Sequence, residues 1–568
     1  MAENGSHPMK WTPLTAVCLG TLMLLIDVTI VNVALPDISS DLGASFADLQ
    51  WVIDIYALVL ATLLLVAGSV ADGWGRRRVY IIGLIIFAGS SVACGLAQNA
   101  TELVIARALQ GVGGAAMFAT TIALLNVSYR GRDRSFAYGV WGAVSGAAAG
   151  LGVVLGGLLV EWTSWRWIFF VNLPISVVAV LLSRVAFAAG QPERVRLDFA
   201  GMATFVLAAG STTYGLIRAG EYGWDEVGTA IAMATGVSAF AVFVLVESRS
   251  RNPLVDLGLF RRSRFVGVNL AAAMLSFSAF GYFALLSIYL QTVQGMSAIE
   301  AGIRFLPLTI TAFVVSAVTG KLLRGVSPAV PVGFAIVLIG VGALLMRLMD
   351  ATASWQSMLP GQIVSGVGVG IASPLVAAAA LGSVPVAKSG MASGLVNTGR
   401  QLGLAFGVAL LGTVFQSAAT VNLTDAGAPQ AEASAQGIAA GGMPEIVASV
   451  PAPSRLVAEQ SLKAAFADGL DTVFLVAGVA GVVVGILIVL LIRSRTNLPA
   501  ASNDDSSQPL ERVRGYVGRH RAPTFAGRAP GHRKVLPDND SPHGLALAAP
   551  VDLDRAAAAT SRPTPILH

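Results

Sequence analysis

The sequence predicts an all-α polytopic membrane protein, and three observations carry that reading. Of 568 residues, 55% are hydrophobic and only 12% charged, whereas soluble domains carry about 25% charged residues. The apolar residues recur in blocks along most of the chain, each near the roughly 20 residues a helix needs to cross hydrocarbon. Basic residues collect in alternate connections between those blocks, the bias of cytoplasmic loops.

The blocks run 11–35, 49–70, 79–97, 102–125, 136–160, 165–187, 198–218, 228–247, 265–290, 301–320, 330–348, 357–381, 391–418 and 470–493, which makes fourteen spans. The first follows a start, MAENGSHPMK, that lacks the basic region and cleavage site of a signal peptide, so it is read as a retained span. Alternate connections carry Arg76, Arg77 and Arg78; Arg130, Arg132 and Arg134; Arg184, Arg194 and Arg196; Arg249, Arg251, Arg261, Arg262 and Arg264; Lys321 and Arg324; and Lys388. The others are short and acidic, as in PDISSDLGASFADL, or hold isolated arginines such as Arg218 and Arg347. An even number of spans returns both termini to one side, and the basic loops make that side the cytoplasm. The Ala-, Gly- and Arg-rich composition points to a GC-rich bacterium, hence to its cell membrane. Two segments break the rhythm. Residues 419–469, rich in Ala, Ser and Pro, read as an external loop, and residues 494–568 as a disordered cytoplasmic tail.

An internal repeat organises the spans. ARALQGVGGAAMFA in the fourth is echoed by PGQIVSGVGVGIAS in the twelfth, aligning Arg107 with Gln362, Gly111 with Gly366 and Gly113 with Gly368. GSVADGWGRRR after the second has a worn counterpart, TGKLLRG, after the tenth. The chain therefore parses into a cytoplasmic stretch 1–10, a six-helix bundle 11–187, inserted helices 188–262, a second six-helix bundle 263–493 and the tail 494–568. Paired bundles of this kind suit alternating access around a site between the halves.

Four motifs then resemble a known family. In GSVADGWGRRRVYIIG, Gly68, Asp72 and Gly75 precede the basic run Arg76, Arg77 and Arg78. The glycines suit a tight turn, and Asp72 is placed to cap the next turn or pair with an arginine. The stretch resembles the signature loop of the major facilitator superfamily, which implies a gate latch on the cytoplasmic side. LLIDVTIVNVALPDI, with Asp27, Thr29, Asn32, Ala34 and Pro36, is similar to the first-span motif of the fourteen-helix drug:proton antiporters in that superfamily. LVIARALQGVGGAA carries Arg107, Gln110 and Gly111 of its fourth-span motif, and SGLVNTGRQLGLAFG resembles a thirteenth-span pattern through Asn397, Arg400 and Gln401. The resemblance covers residues 11 to 493 and implies the major facilitator fold. One departure stands in the fifth span, where Gly152 is followed by Val153 instead of the proline of the antiporter motif. The remaining glycines, Gly142, Gly146, Gly150, Gly152 and Gly156, keep a four-residue spacing that lets helices approach closely.

Charges inside the spans mark candidate sites, because a charged side chain at mid-bilayer costs about 2.5–3.5 kcal/mol even on lenient scales. Asp27 lies nine residues before Pro36, which places it in the outer half of its span. Low dielectric favours its neutral form and a nearby arginine its charged form, so it is poised to load and release a proton. Its bland alternative is a hydrogen bond to Thr29, Asn32 or a neighbouring helix. Asp54, near the outer end of the second span, is a second proton or cation candidate, or a solvated or structural group. Arg107 needs a buried partner, and the resemblance implies that it tunes the proton site. Asn32, Gln110, Trp141, Tyr282, Asn397 and Arg400 are candidates for the substrate pathway. Glu300 and Arg304 have the spacing of a local ion pair.

The five histidines lie in the polar ends and the two cysteines, Cys18 and Cys94, in apolar blocks, so neither a histidine relay nor a metal site is expected. No nucleotide-binding loop or serine-based motif supports an enzyme or receptor. The expectation is a monomeric exporter that sends amphipathic or cationic small molecules outward in exchange for protons. It runs on the proton motive force without cofactor or nucleic acid. The alternative is a carrier dedicated to one metabolite, such as a self-made antibiotic.

Overall fold

The computed structural model describes residues 10–187, 198–250, 253–322, 329–347, 354–382 and 389–493. The tail 494–568, most of the stretch 1–10, and Arg194, Arg196, Arg251, Arg324 and Lys388 lie outside the described residues.

The first bundle opens with α1 (Thr12–Leu42), α2 (Phe46–Trp74), α3 (Arg76–Leu96) and α4 (Ala100–Ser128). It closes with α5 (Gly131–Trp162), the short α6 (Trp167–Phe170) and α7 (Asn172–Ala186). Local signals set the ends. Ser45 and Asp48 form a reciprocal capping box before α2. The Asn99 side chain accepts from the Glu102 amide at the start of α4. Pro36 does not end α1, as the sequence suggested. It removes one amide donor, and the helix continues to Gly43 in the left-handed conformation. Asp27 therefore falls at the middle of α1 rather than in its outer half.

Two helices follow the first bundle, α8 (Phe199–Tyr222) and α9 (Val227–Arg249), which pack on each other. At their turn Glu226 caps the Thr229 amide at 2.7 Å and pairs with Arg218 at 2.9 Å. The Arg218 guanidinium, with the Gly228 and Thr229 amides, holds the Glu226 carboxyl down to about 2.

The second bundle begins with α10 (Ser263–Phe280), α11 (Phe283–Ile288), a π-helical turn over Tyr289–Val293, α12 (Ala298–Arg304) and α13 (Leu306–Leu322). It continues with α14 (Ala329–Met346), α15 (Leu359–Gly382), α16 (Ser389–Asp425), α17 (Ala431–Ala439), α18 (Met443–Ser449) and α19 (Arg455–Arg493). The expected external loop 419–469 is mostly helix instead. α16 reaches Asp425, α19 starts at Arg455, and Ala435, Ile438 and Ala439 of α17 are buried in the core. Alanine is the strongest helix former but weakly hydrophobic, so an Ala-rich helix reads as a loop when hydropathy is the guide.

Twelve helices of the described residues are long and apolar enough to cross a membrane, and two shorter apolar helices lie at Gly150–Trp162 and Val330–Met346. No strand occurs among the described residues. α2 packs on α16, α5 on α12 and α13, and α1 on α11, which joins the bundles. The cores divide unevenly. At the end remote from Lys10, one core draws Ile30, Leu35 and Val52 together with Tyr289, Leu411 and Phe466. At the other end the first bundle has its own core around Met23, Tyr80 and Phe87, and the second its own around Leu275, Ile339 and Val376.

Candidate functional site

Three helices of the first bundle, α3, α4 and α7, gather polar groups around Asp27 of α1, which is wholly buried. Arg107 on α4 places Nη1 at 2.5 Å from Asp27 Oδ2 and at 2.6 Å from Gln110 Oε1. Gln110, one turn further on, donates from Nε2 to Asp27 Oδ1 at 2.8 Å and to Ser91 Oγ on α3 at 2.9 Å. Asn172, the first residue of α7, donates to the same two oxygens at 3.2 and 3.3 Å. Both carboxylate oxygens thus accept from donors on neighbouring helices.

Arg107 does not depend on Asp27 for all its contacts. Its Nε donates to the Val52 carbonyl at 3.0 Å, and its guanidinium lies 4.3 Å from the centre of the Tyr56 ring. A proton arriving on Asp27 would leave the cation with Gln110, Val52 and an aromatic face. Arg107 is therefore held by three groups besides Asp27. Asp27, Arg107 and Gln110 were legible as candidates, and the structure joins them in one cluster. Ser91 and Asn172 were not, because single polar residues of these kinds are common in apolar helices and partners 81 positions apart leave no local pattern.

Asp54 lies apart from this cluster, buried completely, with neither oxygen bonded among the described residues. The expected solvated alternative is therefore corrected. On α2, Gln50 one turn earlier donates to Val408 of α16 at 2.9 Å, and Thr398 of α16 donates to Ala61 at 3.0 Å. Asp54 lies between these crossings, on the side of α2 turned to the second bundle.

The remaining candidates scatter. Asn32 bonds back to Val28 in its own helix, and Asn397 likewise to Ser393. Trp141 donates to Thr21 at 3.0 Å, tying α5 to α1. Tyr282 is buried against Phe474, their ring centres 5.2 Å apart. Arg400 is half-buried on α16, with no hydrogen bond or ion pair among the described residues. Arg304 reaches the Glu300 carbonyl at 3.3 Å, while the Glu300 carboxylate caps Ser297, so the expected ion pair is a helix cap instead.

The glycines of α5 serve two faces. A Cβ at Gly152 or Gly156 would collide with α1, at the Ile26 and Ile30 carbonyls respectively, each 2.9 Å away. One at Gly150 would meet Thr309 of the second bundle at 2.9 Å. Gly142 is exposed with nothing near it, so its packing role is corrected, and the side of Gly146 lies outside the described residues. Val153, standing where the motif has proline, is itself buried at the contact with Gly302.

The basic motif is not a loop. α2 runs to Trp74 and α3 starts at Arg76, leaving Gly75 alone between them at φ 96°. Gly68 sits inside α2, so it makes no turn, and the side chain of Asp72 lies outside the described residues. Arg77 donates to the Arg184 carbonyl at the end of α7 at 2.8 Å, and Arg78 is exposed. Gly75→Ala is expected to destabilise the purified protein by about 1–2 kcal/mol, seen as earlier thermal unfolding, because a Cβ is strained at that φ. Gly68→Ala, in an open helical position, should leave the transition unchanged or raise it.

The profile of the Major Facilitator Superfamily matches residues 17–408. The chain belongs to that superfamily. Among its relatives are the tetracenomycin C resistance and export protein of Streptomyces glaucescens, 32% identical over 84% of this chain and 91% of that protein. The multidrug resistance protein Stp of Mycobacterium tuberculosis is 34% identical over 71% and 75%. The puromycin resistance protein pur8 of Streptomyces alboniger is 35% identical over 75% and 86%. The major facilitator fold is matched by an inward-facing, unoccupied bacterial homolog of the human lysosomal transporter Spinster, at TM-score 0.62 and 18% identity over 86% of this chain and 98% of that one. For this superfamily member, as for any multi-pass membrane protein, the Asp27 cluster lies within spans and faces no bulk water.

Proposed function

We propose that the protein is a drug-efflux transporter that exchanges amphipathic or cationic small molecules for protons, with Asp27 as the proton carrier. The observation that carries this is the fully buried Asp27–Arg107 pair at the middle of α1. A buried pair costs more than it returns in stability unless it does something else. Relatives named for multidrug, tetracenomycin and puromycin resistance support the substrate class.

Arg107 tunes Asp27, and Asp54, buried with no bonded partner among the described residues, takes part in proton exchange only together with Asp27. Half-buried Arg400, Asn397 and Trp141, with buried Asn32, border the substrate path. The two shorter apolar helices complete fourteen spans, the termini face the cytoplasm, the first and second bundles rock about the inserted pair, and the chain works as a monomer without cofactor.

The test is accumulation of a cationic dye in inverted vesicles with an acid lumen. Uptake should follow the gradient and collapse with a protonophore, and uptake indifferent to the gradient rules the reading out. Relatives named for resistance to single compounds favour a second reading, a carrier dedicated to one product. Response to one compound in a structurally varied panel selects it.

A further inference from the structure

The second bundle holds a counterpart of the Asp27 cluster. A Cβ at Gly111 on α4 would meet the Tyr56 carbonyl at 2.9 Å, and one at Gly366 on α15 the Leu308 carbonyl at 2.6 Å. A Cβ at Gly113 would meet the Phe87 amide and Gly83 carbonyl at 2.6 and 2.8 Å, and one at Gly368 the Ile339 amide and Ala335 carbonyl at 2.9 and 2.6 Å. α4 and α15 therefore sit in one register within their bundles. Gly152 lies beside Ile26 of α1, as Gly407 lies beside Gly281 of the second bundle.

With that register, Tyr282 takes the place of Asp27, Gln362 that of Arg107 and Ser365 that of Gln110. The same number of positions separates the members of each pair. Every charge of the first cluster is replaced by a neutral hydrogen-bonding group.

The trio is buried, Gln362 to 1% exposure, and the Ser365 side chain stands beside the Tyr282 hydroxyl. Neither that hydroxyl nor either polar atom of the Gln362 amide has a hydrogen-bond partner of full geometry among the described residues. Buried amides are rarely left so, because each unpaired group costs about 1–3 kcal/mol. A second observation falls at the same place. The ninth span breaks between α10 and α11 at Gly281 and Tyr282, and a π-helical turn follows at Tyr289. Discontinuous helices and π turns gather at binding sites, where they let a span bend and its groups turn outward.

We propose that Tyr282, Gln362 and Ser365 form a neutral subsite that takes an uncharged carbonyl, hydroxyl or amide group of the transported molecule. The phenol, the amide and the hydroxyl offer both donors and acceptors and no charge. The subsite therefore recognises the polar but uncharged part of an amphipathic substrate, while proton exchange stays in the first bundle. The inference rests on the efflux reading.

The test compares puromycin, which has hydroxyl and amide groups, with tetraphenylphosphonium, a cation that has no hydrogen-bonding group. Initial uptake rates into inverted vesicles are measured for the wild type, Gln362→Leu and Tyr282→Phe, each checked for expression and monodispersity. The KM for puromycin should rise about tenfold in either variant. The KM for tetraphenylphosphonium and the response to the proton gradient should not change. An unchanged puromycin KM, an equal change for both probes, or a wild type that carries tetraphenylphosphonium but not puromycin overturns the subsite and leaves efflux standing. A wild type that carries neither overturns both.

Discussion

Asp27→Asn is expected to reduce proton-driven accumulation to the passive level while substrate counterflow across the same vesicles continues. The difference follows from what each assay requires. Accumulation needs a group that is protonated on one side and released on the other, and an amide does neither. Counterflow needs only binding and the conformational exchange of the two bundles. Each charge crossing is worth about 2.3 kcal/mol per 100 mV, so the wild type should concentrate a substrate about fiftyfold per coupled charge at that potential. The variant should approach a ratio near one. Asp27→Glu keeps the acid and should retain part of the accumulation, because the longer arm disturbs the bonds to Gln110 and Asn172 without deleting them. A gradient response that persists in Asp27→Asn would remove Asp27 as the carrier.

Arg107→Met should destabilise the protein by about 3–5 kcal/mol, since it leaves a buried acid facing an apolar side chain. Adding the second change, Asp27→Asn with Arg107→Gln, should recover most of that loss. Neutral replacements of a buried ion pair are often tolerated when the groups remain hydrogen-bonded. The second bundle is neutral at the same place, with Gln362 at the position of Arg107 and no acid opposite. Thermal unfolding in detergent of the wild type, Asp27→Asn, Arg107→Gln and the double variant closes a double-mutant cycle that measures the coupling. If the double variant is no more stable than Arg107→Met, the pair is not what Arg107 stabilises. The double variant should fold and bind without responding to a proton gradient, which separates stability from coupling.

The helices were legible because hydrocarbon demands long apolar runs, and Asp27 and Arg107 were legible because a charge in such a run has no neutral explanation. Partners are another matter. Asn172 reaches Asp27 across 145 positions, a distance set by how α7 lies against α1 and by nothing in the local pattern. Hydropathy also misjudged helix ends. α1 passes through Pro36, and α16 and α19 extend into the Ala-rich region between them, where propensity and tertiary packing outweigh the fall in hydrophobicity. Asp54 was visible as a residue, but its complete burial on the side of α2 turned to α16 was not, since the sequence does not say which face meets which bundle.

The uneven division of the cores makes the transporter a biased two-state device. Separating the bundles at the end remote from Lys10 would expose a continuous shared core, whereas at the other end the bundles share only the smaller cluster of Leu65 with Phe265, Ala392 and Leu395. The larger shared core favours the state closed at the remote end over its opposite. A molecule approaching from the remote side binds with an apparent affinity reduced by that preference, tenfold for each 1.4 kcal/mol or so of bias. The same bias leaves binding from the other side almost untaxed. Directionality would then be partly a property of packing, present before any proton arrives, and the gradient would supply the work of visiting the less favoured state.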